Sequence, residues 1–145
     1  MGKYLPFVVF LLSLQASIAK ASDQNLPLVR FQGCYDGDTC TTTDAEKVRL
    51  ACIDAPEIKK RPRLRATKMR PNAYDNTISA RSAESLRALV LGRFVGIRRI
   101  SRDRYGRTIA ELFVDNRNVG QHQVTRGHAV ISQRYASQCP WAARS

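Results

Sequence analysis

Lys47-Val48-Arg49-Leu50-Ala51-Cys52-Ile53-Asp54-Ala55-Pro56-Glu57 is the stretch from which the rest of the chain can be read. Over Lys47 to Ile53, Val48, Leu50 and Cys52 alternate with Arg49 and Ala51. That period of two sends one set of side chains into a core and the other out of it, so a strand is expected with Arg49 pointing away from the core. Upstream, Leu28 to Cys34 alternates through Val29 and Phe31, and Thr39 to Thr43 continues in β-favouring residues after the Asp36-Gly37 break. These read as strands, and Pro27 suits the start of the first, where no ladder donor is needed. Asp44-Ala45-Glu46 makes a polar turn. If the strands on either side of it form a hairpin, Asp38 and Arg49 can share its open face.

Downstream, Arg93 to Ile100 and Arg107 to Val114 are rich in Val, Ile and Phe and flank the compact Asp103-Arg104-Tyr105-Gly106. They predict two further strands joined at a turn. Ala80 to Leu91 carries Ala83, Leu86, Leu89 and Val90 on one side, which predicts a helix with Ser79 as N-cap and Gly92 as its stop. Asp115 to Asn118 is a turn. A short, weakly amphipathic helix follows over Val119 to Arg126, stopped by Gly127, and His128 to Ile131 is a short last strand. Within that helix, Gly120-Gln121-His122-Gln123 is more polar than packing on a barrel prefers. Ile58 to Ser79 shows no period and reads as a mobile loop, with Lys59, Lys60, Arg61, Arg63, Arg65, Lys68 and Arg70 within twelve residues. Such a run is either a solvated charge cluster or a track for phosphates. About five strands with one inserted helix give a mainly β, α+β class and a small closed barrel with flanking helices.

The amino terminus is expected to be removed. Met1 to Ala21 opens with Lys3, runs through an apolar Leu5 to Leu14 and ends in Ala19-Lys20-Ala21, the pattern of a secretory signal peptide cleaved after Ala21 or Ala19. The apolar run is too short to span a membrane, so no stable insertion is expected after cleavage and the protein is read as secreted or periplasmic. Residues 22–145 then form one domain, expected to be a monomer. The chain holds 24 Lys and Arg against 12 Asp and Glu. Losing Lys3 and Lys20 leaves 22 against 12, a net of +10, and a polyanion is the expected partner. Cys34, Cys40, Cys52 and Cys139 all lie in the exported part, where pairing into two disulfides is favoured, with three connectivities open. No C-x-x-C pair supports zinc, and His122 and His128 read as ordinary helix and strand residues.

Three segments carry chemistry: Asp36-Gly37-Asp38-Thr39, Arg49 to Glu57, and Asp103-Arg104-Tyr105-Gly106-Arg107. Each alone has a plain reading as a turn, a strand end or a hairpin connection. Together they place at least three carboxylates and two guanidiniums at strand ends, the equipment for phosphodiester hydrolysis. That reaction needs a barrier reduction on the order of 20 kcal/mol, whereas one charge-assisted hydrogen bond gives about 1.5–3, so several groups must act together. A hard cation on carboxylate oxygens can bind a phosphate oxygen and activate water. Arginine forks can grip the remaining oxygens, and a nearby carboxylate can take the proton of the water.

The combination resembles the thermonuclease, or staphylococcal-nuclease-like, family, whose pattern is D-G-D-T, then R-L followed by I-D-A/T-P-E, then D-x-Y-G-R. Every motif is present in order, and the likeness spans roughly Val29 to Tyr135. It implies a five-stranded OB-type barrel with flanking helices and calcium-dependent cleavage of DNA and RNA leaving 3′-phosphates. By the same likeness Asp38 and Asp54 hold Ca2+ with the Ala55 carbonyl, and Glu57 positions or deprotonates the attacking water. Arg49 and Arg107 bind the phosphate, and Tyr135 falls near a tyrosine of the nucleotide site. If the basic run tracks phosphates, Lys59, Lys60, Arg61 and Arg63 are its expected backbone contacts. The reading requires Asp38, Asp54 and Glu57 to lie near enough to share one ion, with neither guanidinium buried beneath the barrel. Past the position of Trp141 the family continues into a long last helix, which is missing here, so the disulfides are expected to offset part of that loss in a marginally stable domain. Two rivals stand beside the nuclease: an OB-type module that binds nucleic acid without cutting, and a cationic membrane-active protein, which leaves the acidic positions unexplained.

Overall fold

The computed structural model describes residues 25–57 and 73–144. The signal-peptide reading and the basic run with Lys59, Lys60, Arg61 and Arg63 lie outside the described residues. The main sheet has the order β1-β6-β7-β4-β3-β2. It is built from β1 (Leu28–Val29), β2 (Phe31–Cys34), β3 (Thr39–Thr42), β4 (Lys47–Leu50), β6 (Val95–Arg102) and β7 (Thr108–Val114), with β8 (Arg117–Asn118) added on β7. β5 (Ile53–Asp54) pairs separately with β9 (Val130–Ile131).

β1 and β2 belong to one run broken only at Arg30, yet β1 pairs with β6 and β2 with β3. Residues 28–34 therefore lie on both edges of the sheet and draw it round on itself. The runs 28–34, 39–42, 47–50, 95–102 and 108–114 are the expected five strands, except that the third ends at Leu50 instead of Ile53, because the chain turns at Ala51 and Cys52, the latter at φ +67°; the architecture is a nearly closed OB-type barrel of α+β class. Alternation accounts for its interior: Val48, Leu50, Val95, Ile97, Ala110 and Leu112 are buried.

Helix α1 (Ala73–Val90) packs Leu86 and Val90 into this core. It begins well before the expected Ala80, so residues 73–79 are helix and not loop, and Ser79 is buried inside it instead of capping it. Asp75, Asn76 and Thr77 are weak helix formers, which is why no period showed there. The expected stop holds, since Gly92 takes φ +75°, a conformation that ends helices at little cost.

Helix α2 (Val119–Thr125) starts on the Asn118 side chain, which accepts from the Gln121 backbone N–H at 3.0 Å. Its polar content is not a packing defect. Gln123 is wholly buried; its Nε2 donates to the Gly37 carbonyl (3.1 Å) and the Ser82 carbonyl (3.0 Å), while its Oε1 accepts from Ser85 Oγ (2.7 Å). All three contacts are short enough to satisfy the buried amide, which ties α2, α1 and the Gly37 loop together.

A smaller apolar cluster joins Ala51 and Cys52 to Cys139 and Ala142. The described carboxy-terminal residues form a 3-10 turn (Ala136–Gln138) and further turns, with no long α-helix. They are fastened by the Cys52–Cys139 disulfide and by Trp141, whose Nε1 donates to Glu111 Oε1 at 3.0 Å. Glu111 is buried and also accepts from Asn118 Nδ2 (2.8 Å) and pairs with Arg98, its cross-strand partner. The second disulfide is Cys34–Cys40, which fixes the connectivity that composition left open.

Candidate active site

The β2–β3 connection carries the first acidic motif. Cys34 and Cys40 are register partners joined by their disulfide, so Tyr35 to Thr39 form a loop closed at its neck. Gly37 sits against α1: a Cβ there would lie 1.7 Å from Ser82 Oγ and 2.8 Å from Ala55 Cβ. No side chain fits, and the Gln123 amide holds the Gly37 carbonyl from the other side. Asp38 is thereby turned inward at 6% exposure. Its Oδ1 accepts from Thr39 Oγ1 (2.9 Å) and its Oδ2 from the Ala55 backbone N–H (2.9 Å). Burial, aided by the charge of Asp36, pushes Asp38 up to about 6, although Ala55, Arg49 and Thr39 favour its charged form.

Arg49 leaves the outer face of β4. Its Nη1 donates to the carbonyls of Leu50 (3.1 Å) and Ile53 (3.2 Å), and its Nη2 donates to Asp54 Oδ1 at 2.5 Å and lies 3.6 Å from Asp38 Oδ2. One guanidinium thus stands beside both carboxylates. β4 pairs in parallel with β7, Val48 opposite Thr108 and Arg49 opposite Ile109, so Arg107, just before β7, emerges on the same outer face as Arg49. Asp103 aims it: Oδ2 accepts from Arg107 Nε (2.7 Å) and Oδ1 from the backbone N–H groups of Tyr105 and Arg107 (2.9 Å each). Burial opposes the charge of Asp103, but these bonds hold it below its ordinary value. Arg49 and Arg107 keep side-chain exposures of 18% and 29% and line one cleft of about 480 Å³, so neither is sealed beneath the barrel. Tyr135 lines that cleft too, 41% exposed.

Asp38, Asp54, Arg49 and Ala55 are brought together, Ala55 through its N–H. Glu57 is not part of that group. It is exposed beyond Pro56, and among the described residues no three acidic, histidine or cysteine side chains gather closely enough to share one ion. Two carboxylates with carbonyls nearby still suit a hard cation, which takes oxygen ligands and can draw the rest from water and substrate. A buried carboxylate already held against its preference for neutrality is also one that a cation stabilises. Sequence reasoning missed Asp103 as the brace of Arg107, and Gln123 and Ser82 as supports of the Gly37 loop; a polar residue on the packed face of α2 was the available signal for the latter.

Comparison with known proteins identifies the family. Residues 47–143 match the family described as Staphylococcal nuclease homologue. An uncharacterized endonuclease of Escherichia coli O157:H7 is 32% identical over 139 residues, covering 93% of this chain and 76% of that protein, and its counterpart from Escherichia coli gives the same figures. An uncharacterized endonuclease of Haemophilus influenzae is 30% identical over 105 residues, 70% of this chain and 50% of that protein. The barrel, the order of its motifs and these matches together place the chain in the staphylococcal nuclease homologue family.

Proposed function

We propose that this protein is an exported, monomeric, calcium-dependent nuclease that hydrolyses phosphodiester bonds of DNA and RNA and leaves 3′-phosphates. The observation that carries the reading is Arg49, which stands beside Asp38 and Asp54 and also lines, with Arg107, one open cleft on the outer side of the barrel. The family and the endonuclease names of its relatives support a nuclease; the signal-like Met1 to Ala21 and the two disulfides support export.

Asp38 and Asp54, with the Ala55 carbonyl, would hold the cation, and calcium bound there would supply positive charge and acidify water. Arg107, aimed by Asp103, and Arg49 grip the non-bridging oxygens and counter the charge that grows on them as the ester becomes five-coordinate. Glu57, on the open side, orients the attacking water and accepts its proton. Tyr135 lies alongside the nucleotide, and Lys59, Lys60, Arg61 and Arg63 add salt-sensitive backbone contacts.

The test is incubation of purified protein with plasmid DNA or RNA, with calcium or with chelator. Calcium-dependent degradation is expected, with fragments whose 5′-hydroxyls accept a labelled phosphate directly; Glu57→Gln should lower the rate about 10²–10⁴-fold, the range for losing a general base, and Arg107→Ala about 10²–10³-fold, the range for removing one stabilising donor. The exposed position of Glu57, outside the hydrogen-bonded group of Asp38, Arg49 and Asp54, favours a second reading, a binding module of the same fold. Binding of nucleic acid without degradation would select it.

A further inference from the structure

The cleft has two walls from distant parts of the chain. The β6–β7 turn supplies one with Arg102, Arg104 and Tyr105, and the segment after β9 supplies the other with Arg134, Tyr135 and Gln138. The second wall is anchored to the turn between Arg49 and Asp54. The Ser132 N–H donates to the Cys52 carbonyl (2.9 Å), the Tyr135 carbonyl oxygen lies 3.3 Å from Cys52 Sγ, and the Cys52–Cys139 disulfide closes the attachment. Successive turns, Tyr135 N–H to Ser132 carbonyl (2.9 Å) and Gln138 N–H to Tyr135 carbonyl (3.0 Å), stiffen the segment between these anchors. Its side chains consequently stand in a fixed relation to Arg49.

Arg134 differs from the other arginines of the cleft in what occupies its N–H groups: Arg104, on the opposite wall, also lies over a ring, that of Tyr105 at 4.9 Å, but its Nη2 donates to the Tyr105 hydroxyl at 2.7 Å. Arg49 and Arg107 are each tied to carboxylates, whereas Arg134 has no carboxylate partner among the described residues and instead lies over the Tyr135 ring, 5.3 Å from its centroid. A guanidinium stacked on a ring is held in place while its in-plane N–H groups stay open to an anion. The cleft, at about 480 Å³, is also in the size range of sites that enclose whole small ligands, and so exceeds what one phosphate needs.

We propose that Arg134, braced on Tyr135, is a second phosphate site, which binds the backbone phosphate next to the scissile one. This rests on Arg49 and Arg107 gripping the scissile phosphate. The ligand class is a nucleic-acid strand crossing the cleft, and the effect is to register that strand over the reacting ester.

The experiment measures equilibrium binding in chelator, so that nothing is cut, by fluorescence anisotropy across a salt series. The probes are a labelled single-stranded DNA oligonucleotide long enough to cross the cleft and a labelled dinucleotide with one phosphodiester. Arg134→Ala is expected to weaken oligonucleotide binding about tenfold and to lower the slope of log K against log salt by about 0.7, the value of one single-strand phosphate contact. Dinucleotide binding should hold, and Arg134→Lys should restore the slope. Arg93→Ala, an exposed position that does not line the cleft, removes the same charge and should have a much smaller effect. A wild-type slope in Arg134→Ala, an equal loss with Arg93→Ala, or an equal loss for the dinucleotide would overturn the proposal. If Arg134→Ala behaves as expected while the wild type with calcium cuts nothing, the phosphate site stands and the nuclease reading falls; cleavage with unaltered Arg134→Ala binding gives the reverse.

Discussion

At Gly37 a missing side chain decides where a carboxylate points. Since a Cβ would meet Ser82 Oγ at 1.7 Å, Gly37→Ala must push the loop off α1 and displace Asp38 with it. The expected cost is about 1–3 kcal/mol of stability by denaturant titration, the range for forced overpacking, together with a weaker calcium-induced rise in melting temperature. Gln123→Leu should also cost about 2–3 kcal/mol, because the amide leaves the Gly37 and Ser82 carbonyls and Ser85 Oγ short of a partner in a buried place. Asp103→Ala belongs to the same scale: with Arg107 no longer braced at 2.7 Å, kcat/KM should fall about tenfold to a hundredfold while the melting temperature changes little. The outer placement of Arg49 was legible from alternation, as was its nearness to Asp38. Asp103 was not, because its task is a bond to its own turn, which looks in sequence like ordinary hairpin chemistry.

Among the elements, β4 is tied to its neighbours by charge as well as by its ladder. Glu46, just before it, accepts from Arg99 of β6 through both oxygens (2.9 and 2.6 Å) and from Thr108 of β7 (2.7 Å). The Arg99 contact, against an opposing effect of burial and with help from Thr108, holds Glu46 at about 2, below its ordinary 4.5. A lowered carboxylate stabilises fully above the unfolded value and loses that contribution as pH falls from there through the folded one. Screening at the 43%-exposed Arg99 side chain reduces the effect to on the order of 1–2 kcal/mol. Denaturation midpoints of wild type and Glu46→Gln should therefore differ near neutral pH and draw together as the pH falls below about 3. The strands were legible from alternation at residues 28–34 and 47–50 and from β-favouring composition elsewhere, while the first turns of α1 were hidden by Asp75, Asn76 and Thr77, whose local preferences oppose a helix.

For the whole molecule, closure comes from residues 28–34 serving both sheet edges, a property that no window of sequence contains because it depends on which distant strands β1 and β2 choose. Both disulfides bear on the site, Cys34–Cys40 closing the Asp38 loop and Cys52–Cys139 anchoring the Arg134 wall. Chain-entropy reasoning gives about 2 kcal/mol for the short loop and about 4–5 for the one spanning 87 residues. Reductant should therefore lower the thermal midpoint by well over ten degrees in a domain of this size, and a high, unchanged midpoint would count against marginal stability. Trp141 gives that experiment a built-in reporter. It is the single tryptophan of the chain, and its indole N–H rests on the buried Glu111 carboxylate. Tryptophan emission, excited selectively over the five tyrosines, therefore follows docking of the tail on the barrel, while far-ultraviolet dichroism follows the barrel's own β-structure. Two optical signals that part company on reduction would show the tail peeling away before the β-structure melts.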